Sequence, residues 1–111
     1  MHKMESHYYW LEDNMEIVCK NYGVKYVNCL SAYGDKCSDV IQEAKNSNVP
    51  YYHACALYFL TYEHGIIKDS VRDSSGYYAK TDIAKWICEH YHEFENLFVG
   101  CGGHEDCFKE W

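Results

Sequence analysis

Apolar residues recur at helical spacing in three stretches of the chain. The first, HYYWLEDNMEIVCKNYG (7–23), predicts a helix of about 14 residues that Gly23 ends. The second, KCSDVIQEAKN (36–46), predicts a short helix with a narrow apolar stripe. The third starts at Thr81, a capping residue, and runs to Gly100, which predicts a long C-terminal helix. Its stripe consists of Ile83, Ile87, Tyr91, Phe94 and Leu97 or Phe98.

A fourth stretch, NVPYYHACALYFLTYEHG (48–65), lacks a polar face. It contains no Asp, Glu, Lys or Arg from Pro50 to Tyr62. Asn48 or Val49 fits the N-cap of a helix, Pro50 its first position and Gly65 its end. A helix that is apolar all round is buried on all sides. Two interpretations stay open: a central core helix, or a helix that packs on the domain with one side and forms a homodimer contact with the other.

The rest of the chain is less regular. Residues 24–34 permit either a short strand or an irregular connection, and residues 66–79 predict a loop with Asp-Ser-Ser-Gly as its turn. The pattern therefore predicts an all-α fold. We expect a single small domain of about four helices at residues 1–100, with a long C-terminal helix. An irregular tail that contains cysteine and glycine would follow at residues 101–111.

Charge and composition narrow the function classes. The chain of 111 residues has 17 acidic and 10 basic residues, a formal net charge of -7, which disfavours direct binding to nucleic acid. No apolar run approaches the roughly 20 residues that cross a bilayer, and the charged N-terminus has no signal-peptide core. We therefore expect no membrane association and a cytoplasmic protein, in the host cell if the protein is viral. The seven cysteines are expected to act as small apolar residues in a reducing compartment.

Catalytic motifs are missing from the sequence. It has no nucleophile elbow, phosphate-binding loop or HExxH motif. Cys55 and His53 lie two positions apart, so a helix would point them about 160° apart and prevent a nucleophile–base pair. We expect neither an enzyme nor a cofactor.

The tail offers weak metal-ligand candidates. Cys101, His104 and Cys107 follow each other at intervals of three residues, and thiolate and imidazole are the usual zinc ligands. The spacing matches no common zinc pattern, so no metal is expected. A small structural zinc-binding interaction module remains an alternative.

An acidic stripe follows the expected last helix. At about 100° per residue, Asp82, Glu89 and Glu93 fall within about 40° of each other. Glu89 and Glu93 would lie one turn apart, roughly 6 Å, which is similar to the separation of neighbouring phosphates on a DNA strand. The plain alternative is a solvated helix face.

Two segments resemble the Ocr family of bacteriophage antirestriction proteins. They are SDVIQEAKNSNVPYYHACALYFLTYEHGI (38–66) and KTDIAKWICEHYHEFENL (80–97). The resemblance implies an acidic, all-α DNA mimic whose dimer imitates a bent duplex and occupies the DNA groove of a type I restriction–modification enzyme. It implies phosphate mimics at Asp39, Glu63, Asp82, Glu89 and Glu93, and our hypothesis extends this surface to Asp69 and Asp73. It implies dimer contacts at Leu57 and Phe59, to which our hypothesis adds Tyr52.

The sequence departs from that family in charge. A net charge of -7 is mild for such a mimic, Cys55 stands where an acid is expected, and lysines at 36, 45, 80 and 85 interrupt the acidic surface. Our first hypothesis is a phage-encoded anti-defence protein that binds and blocks a host DNA-binding enzyme, as a homodimer. The alternative is an inhibitor of anti-CRISPR type that binds protein through a tyrosine-rich surface without mimicking DNA.

Overall fold

The computed structural model describes residues 3–27, 38–64 and 80–102. Four α-helices lie within these ranges: α1 (Lys3–Tyr22), α2 (Ser38–Ser47), α3 (Tyr51–His64) and α4 (Lys80–Glu89). Two 3-10 helices follow at Tyr91–Glu93 and Glu95–Phe98. The described residues form no strand, which confirms the predicted all-α class. None of the described helices has the length and hydropathy that crossing a membrane requires.

Helix α3, which has no Asp, Glu, Lys or Arg up to Tyr62, lies at the centre of this arrangement. It packs against α1, α2 and α4, while α2 also packs along α4 and the second 3-10 helix packs on α1. From position 51 to position 61 every side chain except that of His53 is buried. The core around α3 belongs to the single chain, because its neighbours are the other helices of the same chain. A helix without a polar face thus finds apolar partners on all sides without a second copy.

The end of α1 agrees with the sequence. Gly23 adopts a φ of 98°, and its N–H bonds to the carbonyls of Cys19 and Lys20 at 2.9 and 3.1 Å. The N–H of Val24 also reaches the Cys19 carbonyl, at 3.0 Å, which completes a Schellman motif. The helix is longer than predicted because it begins at Lys3 and spans 20 residues.

Asn48 ends α2, whereas the pattern predicts that it or Val49 caps the N-terminus of α3. It adopts a φ of 58° and ends α2, where the N–H of Val49 bonds to the Ala44 carbonyl at 2.9 Å. Asparagine tolerates this left-handed conformation better than most residues. The carbonyl of Pro50 accepts the first bond of α3, from the N–H of Ala54 at 3.0 Å. The predicted N-cap of α3 therefore serves as the stop of α2.

The long C-terminal helix is not found, and α4 ends at Glu89. The N–H of His90 still bonds to the Trp86 carbonyl, at 3.0 Å, and the chain then continues in the two 3-10 helices. In a continued α-helix, Tyr91 and Phe98 would be separated by about 10.5 Å along the axis. Their ring centroids lie 6.5 Å apart instead, and both rings contact His53. These tertiary contacts override the helical periodicity of the sequence.

Candidate functional site

The three carboxylates of the predicted stripe are all exposed. Asp82 and Glu89 lie two turns apart on α4 and share one face. Glu93 lies in the first 3-10 helix, where its Oε2 is 3.9 Å from Nε2 of His90. Glu89 and Glu93 therefore do not share one α-helix, which the predicted one-turn spacing assumed, because the α-helix ends at Glu89. We call these three exposed carboxylates, two on α4 and one in the first 3-10 helix, the acidic edge.

Exposed acids also lie outside this edge. Glu12, Asp13 and Glu16 project from the solvent face of α1, and Glu95 lies in the second 3-10 helix. Oε1 of Glu95 is 3.4 Å from Nδ1 of His92. The helical periodicity of α1 already places Glu12, Asp13 and Glu16 away from its apolar stripe. Periodicity is thus the signal that could have identified them as candidates for an acidic contact surface.

The side chains of four further phosphate-mimic candidates lie outside the described part of the structure. Asp39 lies in α2 and Glu63 in α3, but the structure describes only the backbone there. Asp69 and Asp73 lie outside the described residues. Their role stays a prediction.

The predicted dimer contacts are core residues. Tyr52 and Leu57 have no exposed surface, and Phe59 is 8% exposed. The Trp10 ring stacks on Tyr52 with centroids 5.5 Å apart and planes 2° apart. A partner chain would reach these side chains only after rearrangement of the monomer. A homodimer stays a prediction, but in this structure it has to use another surface.

Most described tyrosines are inside as well. Tyr51, Tyr52, Tyr58 and Tyr91 are buried, whereas Tyr9 is 54% exposed. In the described part of the chain, most tyrosine rings therefore belong to the core. Few of them are exposed enough to bind a partner protein.

The described cysteines are poorly suited to metal binding or nucleophilic attack. Cys19, Cys55, Cys88 and Cys101 are all free thiols, and only Cys101 is partly exposed. Burial raises the pKa of Cys88 to about 12, and the Glu43 carboxylate adds to the effect. Burial also raises the pKa of Cys101. Protonated thiols are weak ligands and nucleophiles. No group of three or more His, Cys, Asp or Glu side chains forms a metal site within the described ranges, and His104 and Cys107 lie beyond them.

His53 occupies an aromatic cage that the sequence did not predict. Its Nδ1 lies 2.8 Å from the hydroxyl of Tyr91, and its ring stacks on Phe98 with centroids 3.8 Å apart and planes 6° apart. Trp10 closes another side, with its centroid 5.8 Å away. Burial lowers the pKa of His53 to about 4 and raises that of Tyr91 to about 12, so both groups are neutral at pH 7.

The end of the described chain is tied to α1 by polar contacts. We call residues 91–102 the C-terminal segment. Nε1 of Trp10 donates to the carbonyl of Gly102 at 2.8 Å, and the N–H of Gly102 donates to Oδ1 of Asn14 at 2.8 Å. Nδ2 of Asn21 donates to the carbonyls of Leu97 and Val99 at 2.9 and 3.0 Å. The segment therefore runs antiparallel to α1 along one side of the helix.

No protein-family model, curated protein or solved structure matches this chain. The resemblance to the Ocr family therefore stays a prediction that depends on the two quoted segments.

Proposed function

We propose that the protein is a non-catalytic inhibitor that presents an acidic surface to the DNA-binding groove of a bacterial defence enzyme. In this proposal it is a phage-encoded antirestriction protein of the Ocr type and acts in the host cytoplasm. The observation that carries the proposal is the exposed acidic edge formed by Asp82, Glu89 and Glu93.

The division of charge between core and surface supports this role. The central helix α3 carries no Asp, Glu, Lys or Arg up to Tyr62, so these charged residues lie mainly on the surrounding elements. In the described part, exposed carboxylates lie on α1, on α4 and on both 3-10 helices. An acidic surface attracts a basic DNA-binding groove at long range and repels nucleic acid itself.

Individual contacts of this kind are weak, so several must act together. An exposed ion pair contributes about 0.2–1 kcal/mol, and three pairs together about 1–3 kcal/mol. Such binding weakens as salt screens the charges over a Debye length of about 10 Å at 0.1 M. The exposed Lys85 lies on the same helix as Asp82 and Glu89 and reduces the local field. The proposal therefore predicts salt-sensitive inhibition of moderate affinity.

Competition with DNA for a type I restriction–modification enzyme, at several salt concentrations, tests the proposal. The variant Asp82→Asn/Glu89→Gln/Glu93→Gln neutralises the acidic edge. The matched control, Glu12→Gln/Asp13→Asn/Glu16→Gln, changes the net charge equally on α1. We expect inhibition to fall about 10-fold or more in the first variant, the equivalent of about 1.4 kcal/mol, and much less in the control.

The other outcomes are equally informative. An equal loss in both variants means that net charge acts and that the acidic edge has no special role. Unchanged, salt-insensitive inhibition in both variants refutes DNA mimicry and favours a protein contact of the anti-CRISPR type. If the type I enzyme is not bound at all, affinity capture from a bacterial lysate at low and high salt tests the wider claim. Capture of no DNA-binding protein in the low-salt sample contradicts it.

A further inference from the structure

We propose that a pocket at the C-terminal end of α1 binds a free nucleotide, that is, a phosphate group joined to a flat aromatic ring. The pocket has a volume of about 530 Å³ and is lined by Glu16, Lys20, Gly23, Val24, Lys25 and Tyr26. Pockets of about 300–1,000 Å³ hold small organic ligands. This inference does not depend on the proposed function, because the acidic edge lies on α4 and the first 3-10 helix.

The backbone at the end of α1 fixes the walls of the pocket. The N–H groups of Gly23 and Val24 bond to the Cys19 carbonyl at 2.9 and 3.0 Å. Val24 and Tyr26 pack against the hydrophobic core and also line the pocket. A Cβ added at Gly23 would meet no atom within 4 Å, so the space beside this residue is open. The pocket is therefore formed in the free protein, as small-molecule sites usually are.

Two lysines supply the groups that would bind the phosphate. Lys20 lies in the last turn of α1, and Lys25 follows in the chain beyond the Schellman motif. Both are exposed, and within the described residues neither has an ion-pair partner. Glu16 lies one turn before Lys20 and does not pair with it. An ammonium group is a compact point charge that binds phosphate oxygens.

The charge balance of the pocket is slightly positive. Glu16 contributes one negative charge, and the C-terminus of α1 contributes the equivalent of about half of one. The two ammonium groups of Lys20 and Lys25 outweigh both. The whole chain has a formal net charge of -7, so the pocket is a local exception on an acidic protein. That net charge repels the further phosphates of an oligonucleotide, which favours a single nucleotide as the ligand.

Tyr26 and Glu16 suit the rest of such a ligand. Tyr26 is half-buried, and tyrosine rings stack with nucleobases because every base has a π-face. The ionised carboxylate of Glu16 accepts hydrogen bonds, so it matches the amino group that adenine, guanine and cytosine carry. Phosphate-binding lysines, an aromatic wall and a carboxylate acceptor together define a nucleoside monophosphate with an amino group on its base.

Titration of the full chain with adenosine 5′-monophosphate, followed by two-dimensional NMR, tests the site. We expect saturable shifts of the backbone amides of residues 20–26 at millimolar concentrations or below. The variant Lys20→Gln/Lys25→Gln should bind about 10-fold more weakly, since it loses two ion pairs with the phosphate. The matched control is Lys45→Gln/Lys85→Gln, which removes two exposed lysines from α2 and α4. It changes the net charge equally and should bind within about 2-fold of the wild-type protein.

Three further ligands separate the parts of the nucleotide. Adenosine lacks the phosphate and inorganic phosphate lacks the ring, so each should bind about 10-fold or more weakly than the monophosphate. A 5′-phosphorylated tetranucleotide of deoxyadenosine carries the same terminal group on a longer anion. It should also bind more weakly than the monophosphate, because the acidic protein repels its additional phosphates.

Five results overturn the proposal. The absence of saturable shifts at residues 20–26 means that the pocket takes no nucleotide. An equal loss of affinity in the two double variants assigns binding to net charge. Equal affinity for adenosine and the monophosphate removes the role of the lysines, and equal affinity for inorganic phosphate removes the role of the aromatic wall. Tighter binding of the tetranucleotide assigns the site to nucleic acid instead of a free nucleotide.

Discussion

Replacement of Asn14 by alanine should weaken the attachment of the C-terminal segment to α1 and lower the free energy of unfolding. Asn14 is 5% exposed, accepts a bond from the N–H of Gly102 at 2.8 Å and donates to the Trp10 carbonyl at 3.0 Å. A typical intramolecular hydrogen bond contributes about 0.5–1.5 kcal/mol, so the two bonds of Asn14 contribute about 1–3 kcal/mol. Alanine also improves helix propensity by about 0.5 kcal/mol, which offsets part of the loss.

The balance is a loss of about 1.5 kcal/mol in the free energy of unfolding for Asn14→Ala. Asn21→Ala is the matched control, since Asn21 lies on the same helix and also binds the segment through its amide. It is exposed, so water replaces its bonds, and we expect a loss below about 1 kcal/mol. The propensity gain is the same at both positions and cancels in the comparison.

Urea unfolding at pH 7.5, followed by far-UV circular dichroism, measures both variants. A double-mutant cycle of Asn14→Ala with Trp10→Phe tests whether the two side chains act together on Gly102, because the indole N–H of Trp10 donates to its carbonyl. A coupling above about 0.5 kcal/mol is expected. Equal losses for Asn14→Ala and Asn21→Ala, or no coupling with Trp10, would refute the view that Gly102 is anchored through Asn14.

Three further predictions concern the core and the thiols. The free energy of unfolding should fall between pH 6.5 and 4 by up to about 3 kcal/mol, because His53 gains a proton more readily when unfolded; His53→Gln should flatten this part of the urea-unfolding pH profile. Leu57→Ala should cost about 2–5 kcal/mol in urea unfolding even at dilute monomer concentrations, and a loss that grows with protein concentration would instead indicate a dimer contact. Among the described thiols, Cys101 should be alkylated before the buried Cys88 in the native protein; equal labelling by mass spectrometry would contradict the assigned burial.

The sequence predicted the parts of the fold that local chemistry decides. The stop of α1 followed from glycine at position 23, which adopts the left-handed conformation that ends the helix. The burial of α3 followed from its lack of a polar face, since no other arrangement satisfies such a helix. The exposure of Asp82 and Glu89 followed from helical periodicity.

Other features depend on residues that are distant in the sequence. The end of α4 at Glu89 has no glycine or proline to mark it, and the apolar stripe continues past it. Beyond Glu89 the chain follows its contacts with a distant residue: Tyr91 and Phe98 both contact His53, which lies 38 positions before Tyr91. The acidic edge was misjudged for the same reason, because its geometry assumed a straight helix through Glu93. Pairings of this kind leave no periodic signal in a single sequence.

The tie between Gly102 and α1 has a consequence for synthesis of the chain. Asn14 and its partner Gly102 are 88 positions apart, and Trp10 and Gly102 are 92 apart. At a translation rate of about 5–20 residues per second, roughly 4–18 s pass between incorporation of Asn14 and incorporation of Gly102. During that interval the hydrogen bonds of Trp10 and Asn14 to Gly102 cannot form. Helix α1 is therefore bound to Gly102 only after α2, α3 and α4 have been made, and until then α3 is the helix that covers its apolar face.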